Sequence, residues 1–85
     1  MKKQECVVLV PGLNEKKRFL VPDNMQIHEI IHLILELLRE EYPELDSEEE
    51  MLNLFKRRTG EILKKTDCLA EINIAESDEL ILGSE

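Results

Sequence analysis

The chain has 85 residues, enough for one modest hydrophobic core and no more, so residues 1–85 are read as a single domain. With 42% hydrophobic and 35% charged residues it is too apolar to stay disordered, and a net charge of −8, from 19 acidic against 11 basic side chains, repels a phosphate backbone and argues against nucleic acid. No stretch approaches the ~20 apolar residues of a membrane span, and Cys6 and Cys68, far apart and without a CxxC pair, suit reduced thiols in a cytoplasm.

The N-terminal run reaches Pro11–Gly12 after only five apolar residues, too few for a signal peptide or an anchor. Those five, Cys6 to Val10, are uninterrupted and rich in β-branched valine, which predicts a strand covered on both faces. Pro11–Gly12 centres a turn, polar residues Asn14 to Lys17 follow, and Arg18–Val21 forms the return strand of a hairpin that Pro22 ends. From Met25 to Glu41 the apolar period changes to 3.6, with Ile27, Ile30, Ile31, Ile34, Leu37 and Leu38 on one helical face and Leu33 and Leu35 widening it. Asp23 or Asn24 is the expected N-cap, and Tyr42–Pro43 stops the helix because a residue before proline avoids the α region.

Glu44 to Glu50 reads as an acidic loop in which Ser47 is a candidate cap. Met51–Phe55 predicts a third strand, the turn from Lys56 to Gly60 leads to a brief strand at Ile62–Leu63, and Cys68–Ile74 covers the open end of the core as a helical turn. Asp78–Leu82 closes the chain as a last strand. A helix that follows a hairpin and returns the chain to the same sheet crosses one of its faces. The simplest arrangement pairs the first and last strands in parallel at the centre: an α+β β-grasp roll, with a mixed four- to five-stranded sheet and one long helix packed on one face.

The stretch Leu69–Ile74 followed by Asp78–Leu82 resembles the closing pattern of ubiquitin-like proteins, and Gly60 and Leu63 stand at the spacing which that pattern has before it. Within that superfamily, Phe19–Pro22 running into Ile27–Ile31 is most similar to the YukD/EsaB group, small bacterial proteins associated with type VII secretion. The resemblance spans the whole chain and implies a non-conjugated protein-binding module, accessory or regulatory to such a secretion system. Covalent modifiers and sulfur carriers of this superfamily need a flexible tail ending in two glycines, whereas this sequence reads Leu82–Gly83–Ser84–Glu85. A processed modifier or sulfur carrier, and a structural homo-oligomer, stand as the alternative readings.

No catalytic constellation is assembled and no cofactor is expected. Ser47, Ser77 and Ser84 lack a histidine and an acid placed to activate them, and Cys6 lies on a strand, away from a helix N-terminus that would favour its thiolate. His28, His32 and Glu36 share a helix flank at metal-ligand spacing, but an exposed helix supplies too few ligands, so they are read as a polar flank. The Lys16–Arg18 and Lys56–Arg58 clusters read as solvated turns, or as a weak basic rim for an acidic protein partner. What remains is surface. If Phe19 and Val21 face the helix and Val7 and Leu9 join them, then Val8, Val10, Leu20, Ile81 and, depending on register, Phe55 or Leu54 form an apolar sheet face open to a protein partner.

Overall fold

The computed structural model describes residues 2–45, 48–72, 74 and 78–84. The cap expected at Ser47 therefore lies outside the described residues. Eight elements follow one another: β1 (Lys3–Val10), a 3-10 turn (Pro11–Leu13), β2 (Glu15–Pro22), α1 (Ile27–Glu41), a second 3-10 turn (Glu49–Met51), β3 (Leu52–Lys56), the short helix α2 (Leu69–Ile72) and β4 (Glu79–Ser84).

The sheet order is β2-β1-β4-β3, with β1 and β4 parallel at the centre and both outer pairs antiparallel. This is the expected β-grasp roll, with four strands. Asn14 closes the β1–β2 turn at φ 53, a left-handed conformation that asparagine tolerates because its short polar side chain can bond locally. The polar residues Glu15 to Lys17, expected in the loop, belong to β2 because an edge strand can turn such side chains to water. The short strand expected at Ile62–Leu63 is a single bridge between Ile62 and Phe55, and Met51 lies in the 3-10 turn rather than in β3.

Register settles which apolar set is inside. Cys6 pairs with Phe19, Val8 with Leu80, and Leu54 with Leu82, so these residues share the helix-facing side. Val8 is 0% exposed, and Cys6 and Val10 are buried beside it in the core cluster. The expectation that Val7 and Leu9 point to the helix, with Val8 and Val10 outward, is therefore wrong by one residue. The physical reason is the hairpin: four residues separate the Val10–Glu15 pair, which sets Cys6 rather than Val7 opposite Phe19. Burial raises the Cys6 thiol to about 11, because a thiolate there would be stripped of water.

Helix α1 begins at Gln26, not at Asp23 or Asn24. After β2 the chain turns through Asp23–Met25, where the Met25 N–H donates to the Pro22 carbonyl at 3.1 Å; Gln26 then bridges to Cys68 as the N-cap, and its amide donates to the Glu29 carboxylate at 3.3 Å. Ile27, Ile30, Ile31, Ile34, Leu35 and Leu38 are buried, whereas Leu37 is 42% exposed. Leu37 lies about 160° around the helix from Leu35 at 100° per residue, so the sheet and its flanking turns cover the Leu35 side. At the C-terminal end the Tyr42 hydroxyl donates to Glu15 at 2.7 Å and the Lys17 ammonium donates to Glu41 at 2.9 Å, joining the helix to the edge strand β2. At the N-terminal end of α1, the Ile27 N–H donates to the Asp67 carbonyl and the Ala70 N–H of α2 to the Asp23 carbonyl, and there Leu69 of α2 joins the core cluster, of which Leu63 is also a member.

Ile34 is fully buried at the centre of this interface, so Ile34→Ala is expected to destabilise the domain by about 2–5 kcal/mol, the range for truncating a buried aliphatic side chain. Chemical denaturation of both proteins checks it. A loss below about 1 kcal/mol, the scale of surface substitutions, would mean that the helix presents a different face.

Candidate protein-binding face

The same register that buries Val8 turns the other set of each strand away from the helix. Leu9 pairs with Ile81, Ile81 with Phe55, and Phe55 bridges to Ile62. Residues paired across a ladder project from the same face, so these four apolar side chains form a row running across three strands and the bridge at the edge. Leu9, Phe55 and Ile81 are partly buried, and Ile62 is 42% exposed. Val7 shares this face but lies between its register partners Arg18 and Glu79 and is only 7% exposed. Leu20, on β2, stands apart from the row at 64% exposed.

Of the five residues expected to bind a partner, Leu20, Phe55 and Ile81 lie on this outer face, while Val8 and Val10 belong to the core and leave the candidate surface. Leu54, the alternative to Phe55, is fully buried. Leu9 and Ile62 join the face beyond those expected. Leu9 faces outward rather than toward the helix as expected, because both alternating sets of β1 are apolar and alternation does not fix its side. Ile62 gave no outward signal, since its bridge to Phe55 joins residues on either side of a turn.

Charge surrounds the row. Lys16, opposite Leu9 in the ladder, places its ammonium 2.5 Å from the Glu79 carboxylate, and Arg57 donates to the same carboxylate. These two cations, Lys16 first, hold Glu79 below the usual carboxylate range. Arg58 donates to Asp78 at 2.8 Å beside them. The two basic clusters of the sequence thus meet near Glu79, although Lys17 points to the helix side and bonds Glu41. Long side chains arranged this way can lie along apolar surface with their heads in water.

A cavity of about 240 Å³ between the β1–β2 turn and the helix is lined by residues such as Leu13, Leu35, Leu45 and Leu82, with no titratable side chain among its lining. Among the described residues no group of three or more His, Cys, Asp or Glu is arranged to hold a metal ion. His28 instead contacts the Gln26 side chain at 2.6 Å, and His32 lies between two carboxylates. Among the described residues, no helix is long and apolar enough to cross a membrane.

Comparison with solved structures shows that the fold is ubiquitin-like. The domain is similar to the ubiquitin of Caldiarchaeum subterraneum, with a TM-score of 0.76 at 14% identity over 99% of this chain and 95% of that one. It is similar to the ubiquitin-like domain of Plasmodium falciparum Dsk2, with a TM-score of 0.75 at 14% identity over 99% of this chain and 100% of that one. The N-terminal ubiquitin-like domain of the 4931431F19Rik protein superposes with a TM-score of 0.74 at 18% identity, covering 98% of this chain and 75% of that one. No family model matches the sequence, and no curated protein matches it.

Because the folded Glu79 carboxylate is more acidic than an unfolded one, its ion pairs stabilise the domain above the unfolded value of ~4.3 and lose that contribution as the pH falls through the folded value. Urea midpoints of the wild type and Glu79→Gln should differ at pH 6, and the gap should close on acidification below ~4.3. A gap unchanged at pH 2, or none at pH 6, would show that the Lys16–Glu79–Arg57 cluster contributes nothing.

Proposed function

We propose that the chain is a non-catalytic, non-conjugated ubiquitin-like module of the cytoplasm that binds another protein through the sheet face opposite its helix. The observation that carries this reading is the apolar row Leu9–Ile81–Phe55–Ile62, with Leu20 beside it, on a sheet whose other side already holds the core. A sheet with a helix on one face only leaves its second face to water, and contiguous apolar side chains there are a binding surface by their chemistry. The cations around the row, Lys16, Arg18, Arg57 and Arg58, favour a partner that is acidic at its rim. In keeping with a non-conjugated role, Gly83 sits in the β4 ladder opposite Asn53.

A finer assignment is supported by sequence alone: the resemblance of Phe19–Pro22 and Ile27–Ile31 to the YukD/EsaB group suggests an accessory or regulatory part in bacterial type VII secretion. Genes for a membrane ATPase and for small helical secreted proteins beside this one would support it.

The surface itself is tested by substituting Phe55 and Ile81 with glutamate and capturing partners from the native cytosol, once circular dichroism shows the variants folded. Each apolar side chain fully covered by a partner contributes ~1.5–3 kcal/mol, so affinity should fall about tenfold or more per site. Folded variants that retain every partner would exclude this face.

A further inference from the structure

One cluster outside the sheet face joins two elements through a titratable group. On α1, His32 places Nε2 3.0 Å from Glu36 Oε1, and across the groove its Nδ1 lies 2.7 Å from Glu49 Oε1 in the 3-10 turn Glu49–Met51. Both ring nitrogens therefore face carboxylates. A neutral imidazole has one donor and one acceptor, so it can serve only one of these oxygens, and its other nitrogen then meets a carboxylate lone pair to lone pair. The imidazolium, with two donors, satisfies both.

The surroundings are acidic. The groove holding His32 is lined also by His28, Glu29 and Glu36 from the helix, by Glu49 from the 3-10 turn, and by the apolar Met25 and Leu33. In the adjoining cavity, Glu49 and Glu50 meet His28, Ile31 and Lys65, and the Lys65 ammonium donates to the Glu50 carbonyl at 3.1 Å. The helix thus presents Glu29 and Glu36 toward a turn that carries Glu49 and Glu50, and a charge on His32 lies between the two sets.

We propose that His32 is a proton-operated latch that fastens the Glu48–Met51 segment to helix α1 when protonated and releases it when neutral. The segment it holds leads directly into β3 and lines the cavity floored by the core residue Ile31, so release loosens the entry to the edge strand and not the central pair. The hydrogen bond that the His32 ring donates to Glu49, and the charges of Glu49 and Glu36, raise the proton affinity of His32 above that of an ordinary imidazole. The latch is accordingly closed below the unfolded value and opens as the pH rises through the higher folded value.

Proton NMR of the full chain follows the His32 ring, and amide exchange reads the segment at Met51, whose N–H donates to the Glu48 carbonyl at 3.0 Å. His32 should titrate above ~6.5 in the wild type and closer to that value in Glu49→Gln. The Met51 protection factor, corrected for intrinsic exchange, should be about two- to fivefold higher at pH 5.5 than at pH 8.5, the equilibrium factor of an exposed ion pair. It should be equal at the two pH values in His32→Gln and in Glu49→Gln. A wild-type protection factor that does not change between pH 5.5 and 8.5, or the same change in His32→Gln, would overturn the latch.

Discussion

The structure depends on β1 being paired on both edges and covered on one face by the helix. It lies between β2 and the parallel strand β4, and its inner set, Cys6, Val8 and Val10, packs with Leu80, Leu82 and Leu54 under Ile27, Ile30, Ile34 and Leu38. A parallel pair cannot be closed by a tight turn. The chain must leave the sheet after β2, cross it and return, and the long helix is that crossover. The β3 strand, the 3-10 turns and α2 then complete the sheet and seal its end. The apolar run Cys6–Val10 is thus what the rest of the chain is arranged around.

From the same strand comes the outer face. A central strand apolar on both alternating sets offers one set to the core and the other to whatever covers the far side. Here Val7 is screened by neighbouring charged side chains, and Leu9 continues through Ile81 and Phe55 to Ile62. Charge borders both sides: Lys16 and Arg57 stand beside the row and share Glu79, and on the helix side Lys17 bonds Glu41 while His32 lies between Glu36 and Glu49.

Most of the architecture was legible because it rests on period. The change from a continuous apolar run to a 3.6 repeat at Ile27 marked the helix, and the order hairpin, helix, strands implied the parallel central pair. What could not be read was register. In β4 only Leu80 and Leu82 alternate with Glu79 and Ile81 in a way that fits the core, and both are buried as the alternation implies. In β1 both sets are apolar, so alternation carries no information, and the hairpin's loop length alone decides that Cys6 meets Phe19. The helix shows a parallel case: Leu35 and Leu37 are equal in hydrophobicity, and only the position of the sheet makes one buried and the other exposed. Ile62 joined the surface through a bridge that spans a turn, for which the sequence offers no spacing rule.

The facing of β1 determines both the core and the candidate surface. Methyl NMR with a soluble nitroxide relaxation agent reads that facing directly. The methyls of Val8, Leu54 and Leu80 should keep their line widths while those of Leu20 and Ile62 broaden strongly and those of Leu9 and Ile81 broaden measurably. Broadened Val8 methyls beside protected Leu9 methyls would contradict it, and would return β1 to the opposite register.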